Sequence, residues 1–136
     1  MPNSSFAAAR KTMVDCQLRP SKVTNQHVLD AFMTIPREEF VGKQQRALAY
    51  VDEDLPLPGG RCLMEPMVLA RLLQALQLRP DDNLLIVGAG CGYGAAIAAS
   101  LVGSVIAIET RANLVEKAQV MLVSIGVDNA AIVKAR

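Results

Sequence analysis

Twenty-six consecutive residues, Asn83 to Ile108, carry no charge. A run of that length either crosses a membrane or forms the interior of a fold. Gly88, Gly90, Gly92, Gly94 and Gly103 interrupt it. The pairs Gly88/Gly92 and Gly90/Gly94 fit small-residue packing between membrane helices. The flanks, however, are Asp81, Asp82 and Glu109 rather than the Lys and Arg that anchor a span. The residues order themselves better as strand, turn, helix and strand. Leu84-Leu85-Ile86-Val87 is a short apolar run bounded by turn residues, as expected of a strand buried on both faces. Gly88-Ala89-Gly90-Cys91-Gly92 follows, then an Ala-rich helix over 93–102 that Gly103 ends. Val105-Ile106-Ala107-Ile108 is a second buried strand, closed by Glu109. Thr110 is placed to cap the next helix, with Leu114, Ala118, Leu122 and Ile125 inside and Gly126 as its left-handed exit. Ala130–Val133 starts a third strand.

Upstream, Met1–Phe6 is a polar, frayed start, and a helix is expected from Ala7 to Leu18, stopped by Pro20. Thr24 or Asn25 caps a second helix whose apolar side is Val28, Leu29, Phe32 and Ile35, with Pro36 at its end. Residues 49–64 hold three acids, two prolines and two glycines, the composition of a loop with a short extended piece. A third helix starts near Glu65 with Pro66 in its first turn. Its stripe of Val68, Leu69, Leu72, Leu73 and Leu76 predicts core packing. The fold class is therefore α/β: N-terminal helices, then β-α-β-α-β, the first part of a doubly wound sheet. Two regions of one structural unit are expected, 1–64 and 65–136.

Charge excludes some partners. Residues 1–79 carry ten basic and eight acidic groups, and residues 80–136 carry four and five. Neither part is polarised, so nothing points to nucleic acid or to an anionic membrane surface. Cys16, Cys62 and Cys91 have no metal-binding or disulfide spacing, as expected of a reduced cytoplasmic protein, and no metal site is expected. His27 is the only histidine and sits in the first turn of its helix without a suggested partner. Asp52-Glu53-Asp54 lacks the Gly and distal Glu of a calcium loop and is expected to be a solvated acidic segment.

The glycine loop carries the chemistry. Glycines allow a tight turn and close approach of backbone to a ligand. The helix start that follows offers free N–H groups and the positive end of a dipole. Glu109 ends the next strand, where an acid would hold a ribose diol. Two adenosine-type cofactors compete. A dinucleotide pattern G-x-G-x-x-G/A is met from Gly90 through Gly92 to Ala95, two residues late. The looser G-x-G-x-G of S-adenosylmethionine enzymes is met directly by Gly88, Gly90 and Gly92.

Five segments together are more specific. Met13-Val14 with Gln17-Leu18 is similar to an M-V-x-x-Q-L opening, and Pro36-Arg37-Glu38-x-Phe40-Val41 to P-R-E-x-F-V. AYVDEDLPLPGGRCLMEP, residues 49–66, agrees without a gap with A-Y-x-D-x-x-L-P-I-G-x-G-Q-T-I-S-x-P at Ala49, Tyr50, Asp52, Leu55, Pro56, Gly60 and Pro66. LLIVGAGCGYGAA and VIAIE are similar to V-L-E-I-G-T-G-S-G-Y-x-A-A and V-x-x-I-E. Together these resemble the protein-L-isoaspartate O-methyltransferases, from Ala9 nearly to the end. The resemblance implies a Rossmann-like S-adenosylmethionine-dependent fold with region 1–64 on the substrate side. It implies methyl transfer to the α-carboxylate of isoaspartyl residues in proteins or peptides, a protein-repair reaction. Gly88, Ala89, Gly90, Cys91, Gly92, Tyr93 and Glu109 are then the cofactor-binding residues. Arg61, Cys62 and Met64 stand where the family carries its substrate-side Gln, Thr and Ser.

The departures are also informative. A thioether at Met64 donates no hydrogen bond and a thiol at Cys62 donates weakly, while Arg61 is able to pair with a carboxylate. Ile86 replaces a Glu that helps organise the cofactor loop in the family, and Cys91 takes the loop's Ser position. The family continues after its third strand with G-D-G and further strands, so this chain resembles a truncated and divergent member. Leu84–Val87 would then be an unpaired apolar edge that invites self-association. Alternatives to methyl transfer are a non-catalytic S-adenosylmethionine-binding or regulatory module and a fragment of a dinucleotide-dependent oxidoreductase.

Overall fold

The structure, a computed structural model, describes residues 2–136. Helix α1 spans Pro2–Met13, earlier than the expected start at Ala7, and Met1 lies outside the described residues. The helix runs on through a π-helical turn, Val14–Leu18, and a 3₁₀ turn, Arg19–Ser21, which Lys22 closes in the left-handed conformation. Helix α2 is Gln26–Thr34, and Asn25 is the residue that caps it, its side chain accepting the Val28 N–H at 3.2 Å. Val28, Leu29 and Phe32 are buried along its inner side.

Residues 49–64 are more ordered than their composition suggests. Leu55–Leu57 (β1) and Arg61–Leu63 (β2) form an antiparallel hairpin across Pro58-Gly59-Gly60. Asp54 accepts the Glu65 N–H at 2.7 Å, just before helix α3, Pro66–Ala75. Helix α3 buries Ala70 and Leu73, but Leu72 and Leu76 from the expected core stripe are more than half exposed. They overhang an open cleft beside the next strand instead of entering the core.

The uncharged run resolves into strand β3 (Asn83–Val87), helix α4 (Tyr93–Ala99) and most of strand β4 (Ser104–Glu109). No helix among the described residues is long and apolar enough to cross a membrane. Helix α5 (Ala112–Ser124) and strand β5 (Ala130–Lys134) complete a parallel sheet of order β3-β4-β5. Thr110 is not the cap: Arg111 holds that position, without a capping side chain. Leu114, Ala118 and Leu122 are buried inside α5, and Gly126 leaves it at φ +78°.

The sheet corrects one expectation. Leu84, Ile86, Val105, Ala107 and Ile132 point to the covered face, and α4 and α5 pack against β4 and β5. Leu85, Val87, Ile106 and Val133 alternate onto the other face, between 46% and 75% exposed. The strands are therefore buried on one face, not two, because nothing among the described residues covers the second.

One core joins the N-terminal helices to the sheet. Tyr93 is fully buried at the start of α4, with Phe32 and Phe40 edge-on to its ring at centroid distances of 6.1 and 5.4 Å. Next to it a polar network replaces apolar packing. Arg10 pairs with Glu38 at 2.9 Å and donates to the Tyr50 hydroxyl at 2.8 Å, while that hydroxyl donates to Glu38. Buried polar groups are tolerated where each finds a partner.

Candidate functional site

Three adjacent features meet at the C-terminal end of β3. The loop after that strand holds Gly88, Gly90 and Gly92 at φ of +85°, +57° and +91°. Such values are costly for any residue with a Cβ. Gly92 has a second constraint, because a Cβ there would lie 3.0 Å from that of Ala118 on α5. The loop is lashed to strand β4. Gly88 and Ala89 both donate their N–H to the Ile108 carbonyl at 2.9 Å, and Gly90 donates to Glu109 at 2.9 Å.

Glu109 is buried, and its carboxylate is the hub of the site. Oε1 accepts from Gly90, and Oε2 accepts from the Arg61 guanidinium at 2.7 Å and the Arg111 N–H at 3.0 Å. Burial pushes this carboxyl up. The hydrogen bonds from Arg61, Arg111 and Gly90, with the charge of Arg61, outweigh burial and bring it down to about 2. The acid is thus ionised at neutral pH and already aimed at the loop.

Arg61 comes from β2, so this ion pair ties the hairpin to the sheet across 48 positions of sequence. Its second guanidinium nitrogen lies 3.2 Å from where a Cβ on Gly88 would stand. The Arg111 guanidinium lies against Gly59 in the turn of the same hairpin. Cys62 and Met64 are exposed and line a cleft of about 330 Å³ with Leu72, Leu76, Leu85 and Gly88. Cys62 and Met64 therefore share one opening with the glycine loop.

The remaining candidates fall on either side of that opening. Cys91 is half-buried; burial pushes its thiol up, against the pull of the Tyr93 N–H and Arg37. The Tyr93 side chain points into the core, which leaves only its backbone near the loop. His27 is exposed on α2, away from the site. No group of three or more His, Cys, Asp or Glu that would hold a metal occurs among the described residues.

Arg37 and Arg111 are contributors that motif spacing alone does not assign, and for Arg61, expected on the substrate side, the pairing with Glu109 was not foreseen. Arg37 is completely buried, donates to the Ala49 carbonyl at 2.6 Å and the Met64 carbonyl at 3.0 Å, and lies 4.9 Å from the Tyr93 ring centroid. It fixes the residue that follows the hairpin. The one signal for it in the sequence is its place in the P-R-E-x-F-V motif.

The residues present fit a nucleoside. The loop offers glycine backbone for close approach, and Glu109 offers an anionic acceptor beside it. The guanidinium over Gly88 is the end of a flexible side chain, 30% exposed, and is movable.

Comparison with known proteins agrees with this geometry. Residues 8–135 match the family model described as Protein-L-isoaspartate(D-aspartate) O-methyltransferase. A protein-L-isoaspartate O-methyltransferase of Koribacter versatilis is 40% identical over 130 residues, 96% of this chain and 59% of that protein. One from Methylorubrum extorquens is 42% identical over 125 residues, 92% of this chain and 55% of that protein. This chain spans about half the length of such relatives. A solved protein-L-isoaspartate O-methyltransferase superposes with a TM-score of 0.83 at 27% identity, covering 93% of this chain and 42% of the other. A Plasmodium falciparum beta-aspartate methyltransferase, solved with S-adenosyl-L-homocysteine, has the same fold, with a TM-score of 0.75 at 19% identity over 91% of this chain and 62% of the other.

Proposed function

Since the chain belongs to the protein-L-isoaspartate(D-aspartate) O-methyltransferase family, we propose that it supplies the cofactor-binding part of an S-adenosylmethionine-dependent carboxyl methyltransferase for isoaspartyl proteins and peptides. The observation that carries this reading is the Glu109 carboxylate held 2.9 Å from Gly90 N, at the mouth of the glycine loop. When bound, the cofactor brings a methyl group on a sulfonium. Gly88–Gly92 pass close to its nucleoside, and Glu109 accepts from the sugar hydroxyls. The attacking oxygen belongs to the substrate, so the chain's own task is to position that carboxylate. The hairpin and Met64, held by Arg37, form the wall on that side. Three free thiols support a reducing, cytoplasmic setting.

The test is transfer of a labelled methyl group to an isoaspartyl hexapeptide, alongside calorimetric titration with S-adenosylhomocysteine. Saturable labelling together with binding of S-adenosylhomocysteine supports the whole proposal. Absence of binding overturns it. A specific observation favours a second reading: the exposed side chains at positions 62 and 64 are a thiol and a thioether, without a strong donor for a substrate carboxylate. A binding module without turnover predicts heat with S-adenosylhomocysteine and no labelled peptide. A Met64→Ser variant that gains transfer would locate the deficit in that side chain.

A further inference from the structure

Four donors surround Glu109: the Gly90 N–H on Oε1, and the Arg61 guanidinium, the Arg111 N–H and, at 3.5 Å, the Thr110 hydroxyl on Oε2. A carboxylate has about four acceptor sites. A vicinal diol needs two, so it does not fit beside all four donors. The two backbone N–H groups are fixed by the loop and by the start of α5. The Thr110 hydroxyl hydrogen can rotate away in place, whereas the Arg61 side chain, long, flexible and partly exposed, has to leave. It also fills the space over Gly88, where a ligand would approach the loop most closely.

We infer that Arg61 is an exchangeable latch, which pairs with Glu109 when the cofactor is absent and is released by the sugar hydroxyls to receive the carboxylate of the isoaspartyl substrate. The inference rests on the cofactor reading above. The released guanidinium has a chemical destination. On β2 it lies next to Cys62, whose thiol donates weakly, and its planar fork matches a carboxylate bidentately. One cation thereby serves two anions in turn, and cofactor binding creates the receptor for substrate. Binding is consequently ordered, cofactor first.

The test compares the wild-type chain with Arg61→Gln by calorimetry, using S-adenosylhomocysteine and an isoaspartyl hexapeptide, with thermal unfolding as the check of folding. S-adenosylhomocysteine is expected to bind Arg61→Gln about tenfold more tightly, since no ion pair has to be broken. Peptide affinity is expected to rise about tenfold on adding S-adenosylhomocysteine to the wild type, and to stay unchanged in the variant. The wild-type chain also gives a readout free of mutation: the side-chain Nε–H resonance of Arg61 shifts when S-adenosylhomocysteine is added. Equal or weaker binding of S-adenosylhomocysteine by the folded variant, persistent peptide enhancement in it, or a static Arg61 resonance each overturns the latch while leaving the cofactor site standing. No binding of S-adenosylhomocysteine by either protein overturns the cofactor reading, and the latch with it.

Discussion

Glu109 shows what a motif conveys and what it omits. Its place at the end of the second sheet strand was legible from spacing, because an apolar run ends there and the loop it faces lies one crossover upstream. Its pairing with Arg61 was not, although Arg61 itself stood out on the substrate side, since a contact reaching 48 positions across the fold leaves no periodic trace. The pair has a consequence in pH. Glu109 titrates near 2 in the folded chain against an ordinary value of 4.5, so its contribution to stability is complete above about pH 4.5 and is lost as pH falls towards 2. The stability difference between wild type and Arg61→Gln, measured by urea unfolding, is therefore expected to be constant above pH 5 and to shrink below about pH 4. Arg37 makes the complementary point. The sequence marked it only as part of a motif, yet it is buried and its guanidinium bonds two carbonyls. Arg37→Lys keeps the charge but loses the fork, and should cost about 2–3 kcal/mol in urea unfolding.

The order of elements was readable because helix caps, prolines and glycines punctuate it. The helix after Pro66 and the three parallel strands follow from those signals. The hairpin at 55–63 was half-hidden, since Pro56 and Pro58 suppress a strand signal that three-residue strands scarcely carry. Burial was the larger misreading. A continuous apolar run states what the two faces of a strand would accept, while actual cover depends on elements elsewhere in the fold. Leu85 and Val87 consequently face outward, although their composition matches a central strand. Gly92 is the element-scale hinge between loop and helix, with a positive φ and Ala118 in contact range. Gly92→Ala is expected to lower stability by about 1–3 kcal/mol in thermal unfolding, through backbone strain and the forced separation of α4 from α5.

At the scale of the molecule, helices on one side of the sheet and an uncovered apolar side on the other make an asymmetric body. Leu85, Val87, Ile106 and Val133 are contiguous in strand register, and β3 has no partner on its outer edge among the described residues. Exposed apolar surface of this kind promotes association. We propose that the chain self-associates through this face and the Leu84–Val87 edge. Sedimentation should show a mass that rises with concentration, and Leu85→Lys with Val87→Lys should reduce it without loss of helical signal. Unchanged association in that double variant would move the contact elsewhere. The core on the opposite side is a separate matter, and it contains both tyrosines of the chain. Burial, aided by the bond to Glu38, raises the Tyr50 hydroxyl to about 12, and burial raises Tyr93 as well. The folded chain resists phenolate formation, so its stability falls as pH climbs above about 10. With no tryptophan to obscure it, the ultraviolet band of tyrosinate should emerge in step with loss of the circular-dichroism signal. An alkaline titration would then report unfolding from the protein's own colour, without any attached dye.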